Sequence, residues 1–484
     1  MKRIASFSGL LLFISILTTG CGSNSSNNDR INIGSGTTGG SVFIDISTAA
    51  KVIEAGESVT ITITTVNTSI TWPEKTGTTA NYTQTGNTVV WTPPPFVGRY
   101  EFIVKATADS TMSATTTVTV LDSNASRKIV KAVAAVINSY VLLDDGSLWA
   151  AGSNSAGQLG KGDWGGKDTN EFVEVVGSGI IDIAAGGYHI LALKDDGQVL
   201  AAGHNEFGQL GIGNFDSQNT FVEVIEPGSG VVAIAANLYH SLVLKDDGQV
   251  LAAGNNGNGQ LGIGSWDDKK VSEFIEVIES GSGVVGIAAG FYHSLVLKDD
   301  GQVLAAGYNG LGQLGIGNFD SQNEFVEVIK PGSGIVAIAA NLYHSLALTD
   351  SGQVLAAGNN FSGQLGIGNF DSQNKFVEAI KPGSGVIGIA TGGYHSLALT
   401  IDGQVLATGS GVAGQLGKGN WYTQNEFVGA IEPEFRIIDI AAGFYHSLAV
   451  TDSGQILVAG NNLNGQLGMA DLGLHSVFMP VVIN

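Results

Sequence analysis

Six histidines recur through the last three quarters of this 484-residue chain, at His189, His240, His293, His344, His395 and His446, spaced by 51 residues and once by 53. Repeated imidazoles suggest metal binding or acid–base chemistry. Spacing opposes both readings. Equivalent positions on face-packed sheets lie about 10 Å apart, so seven in a ring have a radius of roughly 11 Å, against a zinc–nitrogen bond of about 2 Å. The first repeat carries Asn138 at this place, so the position calls for a hydrogen-bonding side chain that fixes a strand or an inter-repeat contact. Outside the repeat stand only His204 and His475. His204, beside Glu206, is the remaining acid–base candidate, but no Ser-His-Asp spacing, paired carboxylates or cofactor fingerprint accompanies it. No catalytic residue, metal or cofactor is assigned.

Binding has more candidates than catalysis. An aromatic residue recurs after each Gly-Gln-Leu-Gly, at Trp164, Phe215, Trp266, Phe319, Phe370 and Trp421, with Leu472 in the last copy. Equivalent loop positions fall on one face, giving either a platform for a protein or glycan or a set of plugs between units. The two residues before each Gly-Gln-Leu-Gly vary from Glu to Gly to Phe to Asn, which a core position would not allow. Phe207, Leu311, Phe361, Val412 and Leu463 among them are expected to bury area against a partner. The loops NFDSQN each supply one carboxylate, so they read as turns, not calcium sites. Gly-Gln-Leu-Gly itself lacks the Lys-Ser/Thr of a phosphate cradle.

These residues must be positioned by short strands. Glycine is 70 of 484 residues and charged residues only 13%, a balance that favours many turns between buried strands and an all-β fold. Gly-Gln-Leu-Gly begins at Gly157, Gly208, Gly259, Gly312, Gly363, Gly414 and Gly465. Within the unit Phe221 to Gly264, the runs 221–225, 231–236, 239–245 and 249–253 read as four strands, several apolar on both faces. Such sheets must be covered on both faces, as in radially stacked blades. The repeat region opens in mid-unit with IVKAVAAV and ends with VFMPVVIN, so the C-terminal strand is expected to complete the first blade.

The composite AAGxYHSLALxxDGQVLAAGxNxxGQLGxG, read for example over 289–317, resembles the regulator of chromosome condensation repeat family. The resemblance spans 129–484 and implies a seven-bladed β-propeller. It also implies protein binding. The family's nucleotide exchange on the GTPase Ran is not expected here, because the chain opens with an export signal and no blade carries a sizeable insertion. Some secreted bacterial relatives inhibit enzymes through a propeller face, which makes inhibition a subtype of the binding reading.

The export signal is residues 1–20. Lys2 and Arg3 precede an apolar core from Leu10 to Leu17, then Thr18, Thr19 and Gly20 lead to Cys21, the only cysteine. This resembles a bacterial lipoprotein signal, which implies a diacylglyceryl thioether on Cys21, with Thr18 replacing the usual leucine. Gly22, where an inner-membrane retention signal places Asp, directs a Gram-negative lipoprotein to the outer membrane or cell surface. With one cysteine, no intramolecular disulfide forms. Residues 21–41 read as a flexible tether. The alternating runs in 42–122 read as a small β-sandwich resembling bacterial immunoglobulin-like spacers. A net charge of −21 repels phosphate backbones and excludes nucleic acid. The expectation is a lipid-anchored extracytoplasmic propeller binding an unknown envelope or extracellular protein, with a glycan-binding propeller as the alternative and a polysaccharide lyase or hydrolase behind it.

Overall fold

A computed structural model describes nine strands between residues 29 and 121 and then residues 127–164, 169–267, 269–431 and 435–483. Cys21 and the expected signal 1–20 lie outside the described residues. In the N-terminal unit one sheet runs β1 (Asp29–Ile31), β2 (Phe43–Thr48), β4 (Val59–Val66), β7 (Thr88–Thr92) and β6 (Asn81–Thr85). The other runs β3 (Val52–Glu54), β9 (Ser113–Leu121), β8 (Gly98–Ala106) and β5 (Ile70–Thr71). Among the described residues, only β3 and β9 pair in parallel. The first strand falls inside the Gly/Ser/Asn-rich segment, where it pairs with β2.

The C-terminal unit, described by itself, is seven four-stranded antiparallel sheets. The first contains β10 (Ile129–Ala134), β11 (Asn138–Leu143), β12 (Leu148–Gly152) and β13 (Thr169–Val176) in that order. First strands of successive sheets pack against one another round the axis, which makes them innermost and the fourth strands outermost. Every residue of β11 and β12 is buried, as two-sided apolar runs require when a blade stacks on each face.

The strand partition corrects one expectation. No strand is exchanged between the chain ends: Leu474–Val481 is the outer strand of the last sheet, and the first sheet is completed by its own Thr169–Val176. The FVEVI run that opens a sequence repeat pairs backward with the strand just before it, because an antiparallel neighbour joined by one loop is the nearest partner available. Closure is made by packing and by hydrogen bonds, most of them between backbone groups. Ile129 N donates to Gly454 O at 3.0 Å, Phe444 N to Ala135 O at 3.2 Å and Ala132 N to Asp439 Oδ2 at 3.0 Å.

Each Gly-Gln-Leu-Gly loop reaches over the outer strand of the following blade. Gly264 N, for example, donates to Asn323 O at 2.8 Å. Gly262 has φ +71°, and a Cβ there would lie well inside van der Waals contact of the Phe325 ring on that neighbouring strand. Phe325 and its equivalents therefore pack in the grooves between blades.

Candidate binding face

Because each blade is an antiparallel meander, its first turn and its third loop emerge at one end and its second turn at the other. The first end carries the Tyr-His turns, the variable pairs, the Gly-Gln-Leu-Gly loops and the aromatic residues after them. It is called the loop face below. The Asp-Gly turns lie on the opposite, turn face.

The six repeat histidines are fully buried, and each directs its Nε2 at a serine of the next blade. His189 Nε2 meets Ser241 Oγ of the next blade at 2.8 Å, and that hydroxyl donates to the Gln209 carbonyl at 2.7 Å. With its proton spent on the carbonyl, Ser241 accepts from the imidazole, which fixes the Nε2–H tautomer. His240, His293, His344, His395 and His446 repeat the bond to Ser294, Ser345, Ser396, Ser447 and Ser139 at 2.8–3.0 Å. Burial holds the first five near pKa 3 and His446 near 4, so all six are neutral at pH 7. The junction between the first and second blades has neither partner: Asn138 stands for the histidine and Ile190 for the serine. There Asn138 donates inward to Ser153 O at 2.6 Å, and an ion pair from Lys131 to Asp182 spans the same two blades.

The loop-face residues divide by position in the loop. The aromatic ring is about half exposed throughout, from 46% at Trp421 to 57% at Trp164, with Phe215, Trp266, Phe319, Phe370 and Leu472 between. The first residue of each variable pair is exposed, reaching 72% at Phe361, 64% at Val412 and 59% at Leu463. Phe207 and Leu311, second in their pairs, are half-buried. The second place leans toward the centre of the face, and the Phe207 ring lies 4.9 Å from that of Tyr239. In the NFDSQN loops, Asn214 Oδ1 accepts from Asp216 N at 2.8 Å and Ser217 Oγ from Asn205 N at 3.0 Å, so these polar groups shape turns. His204 Nδ1 accepts from Gln209 Nε2 at 2.9 Å while Nε2 faces Glu206 at 3.5 Å.

A central feature escaped the sequence reading. Tyr188, Tyr239, Tyr292, Tyr343, Tyr394 and Tyr445, each preceding a repeat histidine, ring the axis on the loop face, half-buried. Tyr292 stacks on Tyr343 at 5.9 Å and Tyr394 on Tyr445 at 5.5 Å. Phe291 and Phe444, from the fourth and seventh blades, stack at 5.8 Å across the mouth. Burial and the neighbouring tyrosines push Tyr292 up to about 12, leaving it a neutral hydroxyl. The signal was present as the dipeptide Tyr-His, but the titratable histidine drew the chemical argument and its apolar-bodied neighbour did not.

These features define a seven-bladed β-propeller whose loop face is aromatic at centre and rim. The RCC1-like domain model matches residues 105–428 and the regulator of chromosome condensation (RCC1) repeat model residues 437–466. The chain belongs to the RCC1-like family. It is 29% identical over 352 residues to the ultraviolet-B receptor UVR8 of Arabidopsis thaliana, covering 71% of this chain and 80% of that one. It is also 32% identical over 326 residues to the human E3 ubiquitin-protein ligase HERC2, covering 65% of this chain but 7% of that much longer protein. Among solved structures, human WBSCR16 aligns with TM-score 0.62 at 23% identity, covering 70% of this chain and 94% of that one. Yeast RCC1 (Prp20), bound to Kap60, aligns with TM-score 0.62 at 22% identity, covering 74% and 85%. At such identities the structures speak to fold alone.

Proposed function

We propose that this chain is an exported lipoprotein, anchored through a lipid on Cys21, that presents its propeller on an immunoglobulin-like spacer and binds another protein through the loop face without catalysing a reaction. The observation that carries the binding reading is convergence: Tyr ring, exposed variable residues and aromatic rim occupy one end of the propeller. Large, stiff aromatic side chains anchor interfaces at low entropy cost, and solvent-facing positions such as Phe361 gain most from being covered. Membership of a family that includes a receptor and repeat regions of large ligases supports a binding role. Among the described residues no helix is long and apolar enough to cross a membrane, and the lipid is the anchor that the sequence supplies.

Two tests separate the parts of this proposal. Substituting Phe361→Glu, Val412→Glu and Leu463→Glu together is expected to weaken capture of the cell-envelope protein by the full chain more than tenfold, about 1.4 kcal/mol or more. Ile401→Glu, 77% exposed on the turn face, is the control and should leave capture unchanged. Equal capture by the triple variant would refute the loop face as the site; saturable glycan binding lost in Trp164→Ala or Trp266→Ala, with no protein captured, would replace a protein partner by a glycan. For the anchor, Cys21→Ser is expected to move the protein from the membrane fraction to the soluble one, and unchanged membrane retention refutes lipidation.

A further inference from the structure

On the loop face, the exposed rim is not merely aromatic. Six of the seven loops carry an exposed carboxylate next in sequence to the exposed aromatic or apolar residue: Asp163 by Trp164, Asp216 by Phe215, Asp267 by Trp266, Asp320 by Phe319, Asp371 by Phe370 and Asp471 by Leu472. Asp163 also accepts from Asn154 Nδ2 at 2.7 Å and Asp471 meets His475 Nε2 at 3.1 Å, so the other four are the freer ones. An aromatic face attracts a cation through its quadrupole, and an adjacent carboxylate adds a direct charge. At one such loop the protein already sets a cation of its own over the aromatic rings. Lys270, the first residue of the third blade's outer strand, sets its Nζ 5.8 Å from the centre of the Phe215 ring and 4.9 Å from that of Phe207, and donates to the Glu206 carbonyl at 3.0 Å. It is the cation found over an aromatic ring among the described residues. At the equivalent place the next loops around carry Ser321 and Ser372, beside Trp266 and Phe319 respectively, so there the cation must come from elsewhere.

Building on the loop-face reading, we infer that the partner is a protein presenting several spaced arginine or lysine side chains, which lie over the exposed rings as Lys270 lies over Phe207 and Phe215, with the neighbouring carboxylates adding charge. The net charge of −21 favours the same partner at long range, and it disfavours an acidic one. The turn face provides an internal comparison. It carries more closely paired carboxylates, Asp195–Asp196, Asp246–Asp247 and Asp299–Asp300, but none adjoins an exposed aromatic residue. Bulk acidity and the specific pairs therefore make different predictions.

The probe is a short fluorescent peptide alternating arginine and glycine, titrated into the full-length protein by anisotropy at physiological salt, with glutamine–glycine and glutamate–glycine peptides beside it. The arginine peptide alone is expected to bind. Asp216→Asn with Asp320→Asn and Asp371→Asn should weaken it about tenfold, as should Phe319→Ala with Phe370→Ala and Trp266→Ala. The turn-face set Asp195→Asn, Asp246→Asn and Asp299→Asn should change it less than twofold. Lys270→Gln, which vacates the Phe215 site, should strengthen binding about threefold. Arginine-peptide binding that is insensitive to the loop-face sets, or that falls equally with the turn-face set, overturns the inference. If envelope-protein capture still depends on Phe361, Val412 and Leu463 in that case, the loop face stands as the site and only the partner's chemistry is wrong.

Discussion

Acidification from pH 7 to about 5 is expected to unfold the propeller, seen as loss of the cooperative far-UV dichroism transition or a collapse of Tm. The cause is the set of six inter-blade histidines. Each has its pKa lowered from 6.5 by burial, to about 3 for five of them and about 4 for His446. The unfolded chain therefore binds more protons below pH 6.5. Stability is complete above that value and is lost progressively as pH falls toward the folded pKa values. At pH 5 each imidazole costs about 2 kcal/mol, and six together on the order of 12 kcal/mol, comparable to the whole stability of a typical domain. One group acts oppositely: Asp439, raised to about 6 by burial, returns about 1 kcal/mol over the same range. Relief of the negative net charge also opposes, through exposed and screened groups worth little each. Replacing His240, His293 and His344 by asparagine, the residue used in the first blade, should roughly halve the slope of Tm against pH. A Tm that holds constant from pH 7 to 5 would show that the ring tolerates charged imidazoles.

The second large effect concerns the last glycine of the Gly-Gln-Leu-Gly loop. Gly262→Ala should destabilise the propeller by about 3 kcal/mol, with about 1 kcal/mol from the left-handed backbone and the rest from overpacking. The new methyl group meets the Phe325 ring, which is itself held between two blades, so relief must displace the neighbouring sheet. Gly281→Ala separates the two contributions. Gly281 has φ +74° but nothing within 4 Å of an added Cβ, so only the backbone cost of about 1 kcal/mol applies. Matched denaturant titrations of the two variants give the packing cost as their difference. Equal losses would mean that the blade junction yields freely.

The architecture was legible because repetition multiplies weak signals. A single run such as Val231–Ala236 does not distinguish buried strand from buried helix, but seven copies at fixed spacing, apolar on both faces, do. The blade boundary was not legible, since a repeat read from any starting residue has the same period. Only hydrogen-bond pairing decides that the FVEVI run closes the preceding sheet. The histidine role was legible by exclusion and from Asn138 in the first copy. Its serine partner was not, although the sequence pairs the two exceptions, Asn138 and Ile190, at one junction. The solvent-facing members of the candidate face were found through variability. Its centre was missed for the opposite reason, because six nearly invariant tyrosines look like core when only the sequence is read, and the fold leaves them half in solvent.

With every blade made from one uninterrupted stretch of chain, the odd join of the ring lies between the first and second blades and not where the first and last blades meet. The join between the seventh and first blades carries the same histidine–serine bond, His446 to Ser139, as the joins from the second blade onward, so the point where the first and last blades meet is not where the circle is weakest. A circular permutant reopened between Val176 and Ile180 would divide no sheet and separate no histidine from its serine, because the junction beside it is the one that has neither.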